Sequence, residues 1–310
     1  MKKQHNCVTN SKSFGGKIHS KIFHHCTTSS ISIFLHSNIK EGHTLKQASN
    51  YILLVLLVSF YMSATKASAA IVEDDSNKVN QLIAKGNNFA EKTFENQRAL
   101  DMYNEALSLS PNNYEILWRL SRTYVDIGEH LPAKTDAEKQ KQLEFYDKSL
   151  DFAKKAIDAN PKGAMGYIRE AIANGRIALF RGIWDAIDLV KQTKAGCEKA
   201  ISLDVAEPSA YYVLGRTNAK VCEKPKIIRW PLGLGWANMD DAIKNYEKSI
   251  ALRPNFIMYR LDCAKAYIEM DEYGKAREHL TKIATLPKED EDDDVFRKEA
   301  LELLNQIKDK

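Results

Sequence analysis

The feature that most constrains this chain is a spaced pattern shared between two nearby segments. In Pro208–Asn218, Tyr211, Leu214 and Gly215 stand three and four apart, and in Asp241–Pro254 the positions Ala242, Tyr246 and Pro254 continue it. Such spacing puts one apolar stripe on each of two helices, and one small residue on each lets them approach closely. The Pro stops the second helix, because it has no N–H to donate and its ring clashes with the preceding turn. From Val79 onward the same rhythm recurs, with no strand-like alternation. The chain is therefore an array of antiparallel helix pairs.

A large residue, then Leu-Gly, then Ala, an aromatic and Pro at these intervals is the tetratricopeptide signature. The expected fold is all-α: a right-handed tetratricopeptide-like solenoid of about five helix pairs over residues 76–310, with long inter-helix insertions. The first repeat offers Gly86, Phe89, Ala99, Tyr103 and Pro111, and the second Leu117, Leu120, Ser121, Tyr124, Ser149, Ala153 and Pro161. Pro111 and Pro161 are 50 residues apart against the 34 of an ordinary repeat. The capping box Thr135–Glu138 predicts that much of this excess lengthens the second helix. The third repeat is the poorest match, with Tyr167, Ala171, Thr193, Cys197 and Ala200, and helical spacing is expected to run through Ile177–Val190. The fifth has Ala264, Tyr267, Ala276 and Leu280 before Pro287, and a capping helix is expected over about 295–307. The acidic run Glu289–Asp294 reads as a solvated linker whose last residues favour a helix N-terminus.

The formal charge of +4 is unevenly held. Residues 1–69 carry eight Lys and one Glu, so the remainder is slightly acidic at −3. A body of that charge has no electrostatic footprint for nucleic acid. The apolar run Tyr51–Met62 is short for a bilayer span and suits the core of a secretory signal, with Ala67-Ser-Ala69 as the site and Ala70 as the new N-terminus. Residues 45–69 thus read as a signal peptide, the alternative being an uncleaved membrane anchor. The expected location is periplasmic or another extracytoplasmic space. Residues 1–44 are long for an n-region and read as a leader or a non-native extension from start-site choice.

Candidate chemistry is sparse. Cys197, Cys222 and Cys263 remain after cleavage, an odd and scattered set that implies neither a disulfide framework nor a metal cage; Cys197 and Cys263 read as small buried hydrophobes. The two His of the repeat region, His130 and His279, read as surface residues, and no Cys, Ser or carboxylate arrangement forms a triad. No catalytic, cofactor or metal site is expected. Binding is what remains, since the first helices of such repeats line a concave groove. The motif register places Trp118, Arg122, Val125, Asp126, Ile168, Ile172, Arg176, Tyr212, Arg216 and Lys220 on that groove. The four cations suit an acidic peptide or a C-terminal carboxylate, unless Asp126, Glu170 or neighbouring acids neutralise them. Between the halves of the fourth repeat, Lys224–Trp236 combines two Pro and two Gly with large apolar residues. Its Trp230–Trp236 loop either pads the stack or offers a membrane or partner contact.

Leu117-Trp-Arg-Leu-Ser-Arg122, the long insertions, and Ile227–Trp236 ahead of Ala242–Pro254 together resemble the regulator of microtubule dynamics family, over roughly residues 85–290. The resemblance implies a tetratricopeptide-like fold. For the family's animal members it implies links to microtubules and organelle membranes, and similar bacterial proteins are exported or anchored. Two functions follow as expectations: an exported, non-catalytic scaffold that holds a partner segment in its groove, or a membrane-tethered cytoskeletal adaptor.

Overall fold

The computed structural model describes residues 45–310, so the expectation for residues 1–44 lies outside the described residues. Among the described residues every regular element is helical. Helix α1, Leu45–Asn88, runs into a π-helical turn at Phe89–Thr93, and α2 is Asn96–Leu109. Then come α3 Tyr114–Glu129, α4 Asp136–Ala159, α5 Ala164–Ala178, α6 Ile183–Leu203 and α7 Pro208–Cys222. A single turn, α8 Lys226–Arg229, precedes α9 Met239–Leu252, α10 Ile257–Glu269, α11 Tyr273–Ile283 and α12 Asp293–Gln306. Residues Glu73–Lys310 form one compact unit. Before it, α1 is helical through Ala69 and Ala70, and Leu53, Leu56, Phe60 and Tyr61 are exposed on it. Among the described residues no helix is long and apolar enough to cross a membrane.

The pairs form as the small residues dictate. Gly86 lies under the ring of Tyr103, which is fully buried between α1 and α2. Gly215 on α7 lies so close to α9 that a β-carbon would come within 3.0 Å of the Ala242 carbonyl oxygen. In the second repeat Ser replaces Gly, and the buried Ser121 and Ser149 hydroxyls bond each other at 2.9 Å. That satisfies two polar groups which would otherwise oppose burial. Asn113 caps α3 through its side chain, and the Thr135–Glu138 capping box starts α4 as expected, giving a helix of 24 residues. The terminal helix covers the last pair with Phe296, Leu303, Leu304 and Ile307.

Two local expectations are corrected. Helical spacing through Ile177–Val190 is interrupted at Leu179–Gly182, although the long helix it implies does form as α6, of 21 residues. Phe180 turns inward there, its ring edge-on to Tyr146 at 5.8 Å. The contact anchors the corner, and the apolar spacing resumes on α6 rather than continuing α5. Nor is Glu289–Asp294 a solvated linker, although its last residues do open a helix, Asp293 and Asp294 lying in the first turn of α12. Asn96 donates to Glu291 at 2.6 Å and Lys288 lies 5.8 Å from the Phe94 ring centre, so the segment after the fifth repeat meets the first. Asp293 is fully buried and accepts from the Glu289 and Asp290 amides, which fixes the bend. The array closes across its own mouth.

Candidate ligand-binding pocket

That closure turns the concave side into a cavity of about 1520 Å³. Its walls come from α3, α5 and α7, with the Phe89–Thr93 corner and the acidic segment at the mouth. Val125, Ile172, Ile187, Val213 and Leu234 make the apolar part, and Tyr212, Phe256 and Tyr259 close one end. Tyr212 stacks on Tyr259 at 4.7 Å, and Phe256 meets Tyr259 edge-on at 4.6 Å.

Most of the expected groove residues arrive here. Arg122, Val125, Asp126, Ile172, Arg176, Tyr212, Arg216 and Lys220 all line the cavity. Two do not. Ile168 is fully buried in the core with Ala200 and Ala210. Trp118 sits outside the wall, donates to Glu115 at 3.1 Å, and has Arg119 stacked on its face at 4.0 Å. In the four-residue steps 168, 172, 176 the positions drift around a 3.6-residue helix, and the face is held instead by 169, 172 and 176.

The cation line is largely neutralised, though not by Glu170. Arg176 pairs with Glu129, and Lys220 with Glu223 at 2.8 Å. Arg216 donates to the Tyr212 hydroxyl at 2.8 Å and lies 3.6 Å from Asp262, to which Tyr212 donates in turn. Arg122 donates to Glu91 at 2.7 Å and its Nε is 3.8 Å from Asp126, yet its Nε and Nη2 have no hydrogen-bond partner. Burial pushes the Asp126 carboxyl up to about 6 in spite of Arg122 and Arg169.

The residue that the sequence reading missed is Arg169. It forms no ion pair among the described residues, its Nε is buried without a hydrogen-bond partner, and the Trp118 ring 5.8 Å away is its one cation–π contact. Burial, with Arg122 nearby, lowers its guanidinium to about 10. The signal was present, since Arg169, Ile172 and Arg176 share one face at three- and four-residue steps. His130 is also more than a surface residue. It stands at the mouth, donating from Nδ1 to the Asp126 carbonyl, with Nε2 3.2 Å from Asp292 and 3.5 Å from Glu291. Burial opposes its protonation, but those partners outweigh it and raise the imidazole above its ordinary value.

The fourth-repeat insertion is part packed and part exposed. Leu234 and Ala237 are buried with Ile187 and Val221, and Trp236 packs against them, with Lys194 5.4 Å from its ring. The stretch thus pads the gap beside α6 while Leu232 and Leu234 reach the cavity. Ile227 and Trp230 point outward, 82% and 72% exposed. His279 is placed differently from its expected surface position: only 11% of its side chain is exposed, and it contacts Glu247 and Cys263. Cys197 and Cys263 are buried, and the three described cysteines are free thiols.

Comparison with known proteins agrees with this architecture. A thermophilic TPR protein of Thermus thermophilus superposes with a TM-score of 0.55 at 18% identity, over 72% of this chain and 98% of that one, which speaks for the fold alone. Regulator of microtubule dynamics protein 3 of Rattus norvegicus is 26% identical over 265 residues, covering 78% of this chain. Regulator of microtubule dynamics protein 1 of Bos taurus is 26% identical over 202 residues, 63% of this chain and 62% of that one. The chain spans about half the length of the rat relative, 52%. The resemblance carried by residues 85–290 is thereby borne out and widened. The profile described as Regulator of microtubule dynamics protein 1-3 matches residues 82–308, from the first helix pair into the terminal helix, and the chain belongs to that family.

Proposed function

We propose that this protein is a non-catalytic interaction scaffold whose closed concave pocket takes up an acidic segment of a partner protein. The observation that carries the reading is Arg169, a half-buried cation without an ion pair among the described residues and with its Nε buried and unpartnered, beside the two unpartnered nitrogens of Arg122. A carboxylate entering between them would satisfy donors that the fold leaves open, and charge-assisted bonds are the stronger kind. The apolar walls at Val125, Ile172 and Leu234 suit a segment with apolar side chains beside its acids. Nothing in the pocket pairs a nucleophile with a base, which supports a binding role over catalysis.

Pull-down from the native host tests this, using the wild-type chain and an Arg122→Gln/Arg169→Gln variant checked for folding by circular dichroism. The reading expects a protein with an acidic segment that the wild type captures and the variant loses. Equal capture by both overturns it. An anionic amphiphile co-purifying in place of any protein moves the function to that of a carrier.

For the N-terminal region we propose export with cleavage before Ala70, supported by the Tyr51–Met62 core and the small residues Ala67 and Ala69. The family's description, regulator of microtubule dynamics, favours a second reading, a cytoskeletal adaptor, which the Tyr51–Met62 stretch would tether to a membrane if it were not cleaved. Sequencing the mature N-terminus from fractionated host cells separates them: Ala70 in an extracytoplasmic fraction removes the adaptor.

A further inference from the structure

Away from the pocket, three consecutive helices bring Glu247 of α9, Cys263 of α10 and His279 of α11 to one point. The His279 Nε2 lies 3.1 Å from Glu247 Oε1, and the Cys263 Sγ is 3.9 Å from each of them. A triangle of those sides has its centre about 2.1 Å from every corner, close to the Zn–N and Zn–O lengths near 2.0–2.2 Å and a little inside Zn–S at 2.3 Å. A small outward movement of the ion from the plane meets all three.

We propose that Glu247, Cys263 and His279 form a binding site for one zinc-class divalent cation that clips the fourth and fifth repeats together. A thiolate, an imidazole and a carboxylate are the donor set that borderline-soft ions such as Zn²⁺ select. Three protein ligands leave one tetrahedral position, and the half-exposed side of Glu247 admits a water to fill it. The surroundings hold the donors in place. The Tyr267 hydroxyl donates to Glu247 Oε1 at 3.0 Å, and its ring stacks on His279 with centres 5.6 Å apart. Cys263 has no solvent exposure and cannot swing away. The His279 Nδ1 is buried without a hydrogen-bond partner, so the polar contacts of the ring all lie on its Nε2 side, facing the thiol and the carboxylate. Binding replaces the thiol S–H bond with an S–metal bond and releases that proton to solvent, so affinity rises with pH.

Cobalt titration tests the site, because Co²⁺ takes the same geometry and a Co–thiolate bond gives a charge-transfer band in the near ultraviolet. The full chain is used with Cys7→Ser and Cys26→Ser, since those cysteines accompany several His near the N-terminus and would add a signal of their own. The background chain should show the thiolate band saturating at one equivalent, displaced by Zn²⁺, with a rise in Tm on metal addition. Cys263→Ala should lose the band, and His279→Gln should weaken binding about 100-fold or more. Both variants are checked for native helicity, and Cys263→Ala removes only a sulfur from a packing position. A folded background chain without the band, a band that survives Cys263→Ala, or unchanged affinity in His279→Gln each overturns the proposal.

Discussion

At the scale of single residues the pocket is defined by what it leaves unpaired. Arg176, Arg216 and Lys220 each have an acid within reach, and they shape the wall more than its charge. Arg169 has none. A desolvated, unpaired cation opposes folding, and sites that do so are where binding is expected. Arg169→Met should therefore stabilise the protein by roughly 1–3 kcal/mol, the usual size for relieving an unsatisfied buried group, while weakening capture of an anionic partner. Chemical denaturation and binding on the same sample check this. A variant that is less stable and binds normally would make Arg169 a structural residue. Sequence alone named Arg122 but passed over Arg169, because three of the four named cations find a partner in another repeat: Arg122 in Glu91, Arg176 in Glu129 and Arg216 in Asp262. Which cation is left over depends on how the repeats stack, and one-dimensional spacing holds no record of that. His279 was misread for the same reason, since Glu247 and Cys263 sit on the two preceding helices.

At the scale of elements the sequence is legible where local rules decide. The capping box at Thr135 starts α4, and the small positions at Gly86, Ser121 and Gly215 set the close contacts of three pairs. The sequence is not legible where a side chain has a long-range errand. Phe180 breaks the expected helix because Tyr146 holds it, and Asp293 bends the acidic run because its carboxylate gathers two amides. The insertion before α9 combines two jobs that its sequence could not separate. Trp236 packs into the stack, whereas Trp230 is exposed. Trp236→Ser should thus cost roughly 2 kcal/mol, less than the 3–5 of a fully buried Trp truncation. Trp230→Ser should stay within about 0.5 kcal/mol. Thermal unfolding of the two single variants decides it, and equal losses would place both indoles in the core.

At the scale of the whole molecule the new element is closure. A tetratricopeptide stack is expected to present an open groove, and here the segment Lys288–Asp292 carries the far end of the array back to the first repeat. The contact is pH-sensitive in one direction. A His whose folded value is raised contributes stability that is complete below its ordinary 6.5 and lost as pH climbs through the raised value. Asp126, raised to about 6, acts with the same sign, because the fold favours its protonated form and loses that preference as pH rises. Hydrogen exchange of the 288–292 amides, corrected for intrinsic rates, should quicken between pH 6 and pH 8, and His130→Ala should remove most of the change. An unchanged profile in the wild type would detach the mouth from His130.

Under the proposed function the partner enters the closed pocket rather than docking on the apolar exterior. Site-specific photo-crosslinking in native host extract tests it most directly, with a benzoylphenylalanine placed at Lys220 on the cavity wall or at Ile227 outside it. A partner adduct is expected from position 220, carried by an acidic segment and lost when Arg122 and Arg169 are both Gln. An adduct from position 227 alone, or one from position 220 that persists without the two arginines, would contradict it.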